Sequence, residues 1–142
     1  MSGKKEQKRR ALLQAALELF AENGFNGAST ALIAERAGVA SGTLFFHFKS
    51  KEELIHSLFK EIRERIDSEV LKDVSADLST QERLHRMLLN LLRYFLTNPA
   101  EFKFAELYHY SPLNDQGQGF REENQLFHTL LLQAREQRII KN

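Results

Sequence analysis

Apolar residues recur along the chain at three- and four-residue intervals and nowhere in sustained alternation, so the pattern predicts helices throughout. Leu12, Leu13, Ala16, Leu17, Leu19 and Phe20 give one face to a helix from about Lys5 to Asn23, ended by Gly24, with Phe25 able to fold back on its last turn. A second helix starts near Ser29 or Thr30, either of which can cap it. It is expected to turn Leu32, Ile33 and Ala37 inward and Glu35 and Arg36 outward, and Gly38 stops it. The small Ala34 lets another helix cross closely, and Val39 plugs the angle. A short third helix, about Ser41 to His47, puts Leu44 inward with Phe48 one turn on. The core of this three-helix head is Leu13, Leu17, Phe20, Phe25, Ile33, Ala37, Val39, Leu44 and Phe48.

Ser50-Lys51-Glu52-Glu53 reads as a capping box, with the serine taking an N–H three residues on and Glu53 reaching back. It opens a long helix through Leu54, Ile55, Leu58, Phe59, Ile62 and Ile66 to about Val70. Residues 71–79 form a connection. A second capping box at Ser79–Glu82 starts a strongly apolar helix through Leu84, Met87, Leu88, Leu91, Leu92, Phe95 and Leu96, stopped before Asn98-Pro99. A helix from Pro99 to Tyr110, a loop over 113–119 and a last helix from about Phe120 to Gln137 follow. The fold class is all-α: a helix-turn-helix head (1–50) joined by a long helix to a helical regulatory body (51–142).

The third helix leaves Ser41, Gly42, Thr43, Phe45, Phe46 and His47 on or near the outside. Two adjacent exposed aromatics on so short a helix need a reason. A recognition helix in the major groove of DNA supplies one: small polar side chains and N-terminal N–H groups meet phosphates and base edges, and rings pack on sugars and thymine methyls. Packing against another part of the chain is the alternative.

The run Ile33-Ala34-x-x-Ala37-Gly38-Val39-x-x-Gly42-Thr43-Leu44-Phe45-x-His47-Phe48-x-Ser50-Lys51-Glu52-x-Leu54 resembles the DNA-binding signature of the tetracycline-repressor (TetR) family, without a gap. Two positions depart from it. Ala40 stands where the family most often has a capping serine, so the cap moves to Ser41 or the helix starts uncapped. Phe45 stands where a tyrosine commonly reaches a phosphate, leaving only packing against the DNA backbone. Regulators of this family usually continue with two more helices that pair with a second subunit's in a four-helix bundle. This sequence stops at Asn142, where they would begin, so a body cut short is expected.

Charge is unevenly spread. Residues 1–51 carry eight Lys/Arg against four Asp/Glu, and residues 52–142 carry twelve against fifteen. A basic head on an acidic body suits a phosphate-binding module with a separate regulatory part. Lys4, Lys5, Lys8, Arg9 and Arg10 are the densest basic patch, although a solvated terminus reads the same way. The lack of cysteine, of a run near ~18 apolar residues and of an apolar leader before Ala11 points to a cytoplasmic protein with no membrane span.

No nucleophile–base motif, Gly-rich phosphate loop or metal-ligand spacing appears, so neither an enzyme nor a cofactor or metal site is expected; His56, His85, His109 and His128 form no i, i+4 pair. The resemblance implies an effector held among the middle helices. Their rings suit a small hydrophobic or aromatic molecule, with Tyr94, Phe102, Tyr108, His109 and Tyr110 as candidate contacts, while others, Phe95 and Phe127 among them, fill the core. The leading reading is a ligand-responsive regulator, a repressor, that binds a palindromic operator in double-stranded DNA as a homodimer. Its candidate DNA contacts are Thr30, Ser41, Gly42, Thr43, Phe45, Phe46, His47 and Lys51, the last at the N-terminus of the long helix. The competing reading is a helical protein-interaction module that docks a partner through residues 41–48. A steep fall of affinity with salt separates DNA from an apolar protein contact.

Overall fold

The computed structural model describes residues 2–116, 133 and 135–138. Among these residues the regular structure is helical: α1 (Ser2–Asn23), α2 (Thr30–Ala37), α3 (Ser41–His47), α4 (Lys51–Val70), α5 (Thr80–Thr97), α6 (Pro99–His109) and a 3-10 turn (Pro112–Gln116). That turn occupies the start of the loop expected over 113–119. The last helix expected over 120–137 lies outside the described residues, apart from helical positions at 133, 135 and 136. No described helix is long and apolar enough to cross a membrane.

Helix α1 begins three residues before its apolar face requires. After Ser2 and Gly3 its first turns run through Lys, Glu, Gln and Arg, all good helix formers, and Arg10 pairs with Glu6 one turn back at 3.3 Å. Gly27 sits where the connection to α2 doubles back: a Cβ there would lie 2.4 Å from the Asn23 carbonyl oxygen, so no other residue fits without a shift. Ser29 caps α2 by accepting from the N–H of Leu32 at 3.1 Å. Gly38 ends α2 in the left-handed region (φ 73°), and its neighbour Val39 donates back to the Ala34 carbonyl at 3.0 Å.

Six of the nine expected head residues, Leu13, Leu17, Phe20, Ile33, Leu44 and Phe48, are buried, and Phe25, Ala37 and Val39 pack against them. Leu32 corrects the expectation: it is 46% exposed. Successive helix residues are about 100° apart, so the buried stripe that runs through Ile33 and Ala34 leaves Leu32 on the flank.

Ser50 caps α4 through the N–H of Glu53 (3.1 Å), but the Glu53 carboxylate accepts from Lys49 N–H (2.8 Å) rather than closing the box on Ser50. The box at Ser79 and Glu82 closes as expected. Helix α5 is less buried than its composition suggests. Leu84 and Met87 are buried, whereas Leu88, Leu92 and Leu96, one turn apart along a second stripe, are all more than half exposed. The apolar arc of α5 is wider than the surface that α4 and α6 offer it.

Head and body share one core. Phe104 of α6 is fully buried, with its ring 6.1 Å from Phe20 and 5.7 Å from Phe25. A second tie runs through polar groups: buried Glu101, in the first turn of α6, accepts from Arg65 of α4 at 2.7 Å and from the Tyr94 hydroxyl of α5. Burial, and then the neighbouring Glu101 carboxylate, push the Tyr94 hydroxyl up to about 12, so it stays a donor.

Candidate nucleic-acid interface

Helix α3 is held by one side. Leu44 and Phe48 are 0% and 2% exposed, while Phe45 and Phe46 stand 49% and 70% exposed on the other side. Ser41 and Gly42 are exposed, and Thr43 and His47 are half-buried at the edges. Among the described residues, nothing beyond its chain neighbours and its own helix backbone lies within 4 Å of where a Gly42 side chain would begin. Fold and packing therefore give no reason for a glycine at position 42, whereas an outside surface approaching the backbone would.

The helix starts uncapped. Ala40 has the extended backbone of a cap residue (φ −73°, ψ 152°) but no side chain to accept a bond, and Ser41 lies one position inside. The first N–H groups of α3 are therefore left without a side-chain cap, as at a helix end that meets an anion.

Around α3 the charge is positive. Lys5 of α1 sits over the Phe46 ring at 5.1 Å, and Arg9 lies 5.6 Å from the Phe48 ring centre while pairing with Glu61 of α4. Partial burial, and then Lys5, Arg9 and Lys8, hold the His47 imidazole below its ordinary range. Thr30 occupies the first turn of α2, partly exposed. Lys51 is turned inward: its ammonium donates to the carbonyl of Phe25, and desolvation lowers its pKa. Thus seven of the eight residues chosen for DNA lie at α3 or at the start of α2, and the eighth is partly committed to the fold.

The five residues chosen for an effector are not brought together. Tyr108 belongs to the core, 2% exposed, stacked on Phe59 at 3.8 Å and bonded through its hydroxyl to His56 Nδ1 at 2.9 Å. Tyr94 is committed to Glu101, while Phe102 is half-exposed against Phe95 at 4.9 Å. His109 packs on Tyr110, which is 80% exposed. A cavity of about 650 Å³ lies instead among α1, α4 and the start of α6, and its lining is mostly charged, with Glu6, Glu61, Glu64, Glu101, Arg10 and Arg65 beside Leu13, Leu17 and Leu58.

The family model described as bacterial regulatory proteins, tetR family, matches residues 12–58, which span the end of α1 through the first turns of α4. The crystal structure of a tetR family transcription regulator from Shewanella sp. PV-4 superposes with a TM-score of 0.80. It is 33% identical, covering 92% of this chain and 71% of that one. The chain belongs to the TetR family. Among curated relatives in that family, the fatty acid metabolism regulator protein of Bacillus subtilis is 36% identical over 80 residues, 56% of this chain and 41% of that protein. The transcriptional repressor KstR2 of Mycobacterium tuberculosis is 30% identical over 89 residues, 63% of this chain and 44% of that protein. The matched stretch spans less than half the length of these two TetR-type regulators.

Lys5 and Lys8 were not singled out as contacts from the TetR signature, which lies wholly in later residues. Their spacing of three on a helical stretch was the available signal, because it places both on one face.

Proposed function

We propose that this protein is a ligand-responsive transcriptional regulator, a repressor, acting as a homodimer on a palindromic operator. The observation that carries the reading is α3 itself: one side locked into the core by Leu44 and Phe48, the other offering Phe45, Phe46 and an open Gly42 beside basic side chains. Ser41 and Thr43 bond phosphates or base edges, Thr30 bonds a phosphate from α2, and Phe45, Phe46 and His47 pack in the groove. Lys51 keeps two donors beyond the one given to Phe25, so a phosphate meets an ammonium whose position is already restricted.

A dimer is proposed because joining two heads makes the second half-site contact intramolecular. Half-sites lie about 34 Å apart or a multiple of it, so a small change in head spacing weakens simultaneous binding. The effector is proposed to be a small hydrophobic or aromatic molecule held on the body, in keeping with its ring pairs and with a relative named as a fatty acid metabolism regulator. An effector that moves α6 would act on the head through Phe104. The proposed setting is the cytoplasm, where such an operator is found.

The test is binding to random-sequence duplex and to a selected operator over a range of salt. Affinity should fall along a straight line in log–log coordinates, and more steeply than for any apolar protein partner. A flat salt response would instead support docking of a protein on residues 41–48.

A further inference from the structure

The helix-turn-helix accounts for α2 and α3, but a cleft beside them is left over. It has a volume of about 370 Å³ and lies between α1 and α3, lined by Lys5, Lys8, Gly42, Thr43, Phe46 and His47. We infer that Lys5 and Lys8 make this cleft a phosphate clamp, which grips one strand of duplex DNA where the backbone passes α3; the inference rests on the DNA reading above and adds α1 to the interface.

Several observations converge. Lys5 and Lys8 are exposed and three residues apart on a continuous helix, so both ammonium groups lie on the side facing α3. No carboxylate lines the cleft. Two acids on the adjoining elements are taken by arginines: Glu6 of α1 pairs with Arg10, and Glu61 of α4 with Arg9. The two lysines have no ion-pair partner among the described residues, so their charge is open to an incoming anion. Position is fixed as well as charge. Arg9 ties α1 to α4 through Glu61 and covers Phe48, while Lys5 lies over Phe46, so α1 is registered against α3 before DNA arrives. Gly42 keeps the floor open. Burial first, and then Lys5, Arg9 and Lys8, hold the His47 imidazole low, while Glu6 acts the other way. A phosphodiester is the ligand that fits, because the cleft is continuous with the exposed face of α3 and its charge is lysine, which takes a phosphate as a point charge from several directions.

The experiment uses the 142-residue chain and a random-sequence duplex, with affinity measured against salt. Lys5→Ala/Lys8→Ala should lower the slope of log affinity against log salt by about two, since each neutralised phosphate contributes about 0.9. The loss should be the same on any sequence, and Lys5→Arg/Lys8→Arg should restore it. Lys60→Ala/Lys72→Ala, which removes two exposed body lysines, is the control for net charge and should leave the slope unchanged. Thermal melts of all variants should agree, because both lysines are exposed. An unchanged slope in Lys5→Ala/Lys8→Ala, or an equal fall in the body control, would overturn the clamp while leaving the DNA reading intact. Inorganic phosphate replacing chloride at constant ionic strength should not compete; specific competition would make this a free-phosphate site and overturn the duplex assignment. A wild-type chain that binds no duplex at any salt would overturn the DNA reading and the clamp together.

Discussion

The ring of Phe104, on α6, stacks against Phe20, on α1, with centroids 6.1 Å apart and an interplanar angle of 29°. A side chain from the body thus closes the core of the three-helix head. Removing it leaves a cavity in that core. Phe104→Ala should cost about 3–5 kcal/mol. Head and body should still unfold together, as a single transition in urea followed by circular dichroism and by NMR signals from Leu13 and Ile33. Two separate transitions in the wild-type protein would show that the shared core does not couple them.

Ala40 already has the backbone angles of a helix cap and lacks only the oxygen. Ala40→Ser should therefore stabilise the protein by about 0.5–1 kcal/mol, by accepting from an N–H in the first turn of α3. A higher urea midpoint at constant slope is the expected result. A drop would mean that the side chain at position 40 meets a neighbour the backbone geometry does not reveal.

Gly42 and Phe46 separate folding from binding. Gly42→Ala should leave stability unchanged or raise it by up to about 1 kcal/mol, since alanine is the better helix residue and its methyl meets only open space. Phe46→Ala should change stability by no more than about 0.5 kcal/mol, because the ring is 70% exposed. Both should weaken duplex binding. Leu44→Ala, on the opposite side of the same helix, should cost about 2–5 kcal/mol. A Phe46 variant that melts as early as the Leu44 variant would place the ring in the core.

The lowered pKa of His47 carries a signed dependence on acidity. Above the ordinary histidine value of 6.5 the ring is neutral both folded and unfolded, and its full contribution is present. As pH falls below that value the unfolded chain takes up the proton first, so stability declines until pH passes the lower folded value. Urea midpoints between about pH 7.5 and 5 should fall more for the wild type than for His47→Gln, and the difference should open below 6.5. Parallel curves would show that neither burial nor the basic residues around His47 depress its titration in the folded protein.

Local physics made much of this protein legible in its sequence. The third helix spans Ser41–His47 as its sequence predicts, because Gly38 forces a stop before it and the core positions Leu44 and Phe48 admit only one facing. The caps at Ser29, Ser50 and Ser79 depend on residues three apart in the chain, and they were readable for that reason. The outward setting of Phe45 and Phe46 followed from the same periodicity.

What required the tertiary structure was everything decided by a partner distant in sequence. Periodicity offers Leu32, Leu88, Leu92 and Leu96 as core, yet burial depends on whether another element arrives to cover them, and α4 and α6 reach only part of α5. Lys51 reads as a free cation until the chain returns the Phe25 carbonyl to it from 26 residues away. Tyr108 reads as an isolated ring in the sequence, and only the structure brings Phe59 and His56 against it. The basic terminus, likewise, is in the sequence a charged patch at the start of a helix, with nothing to say what it faces. It becomes one wall of a cleft because the apolar face of α1 must be buried, and burying it turns Lys5 and Lys8 toward α3.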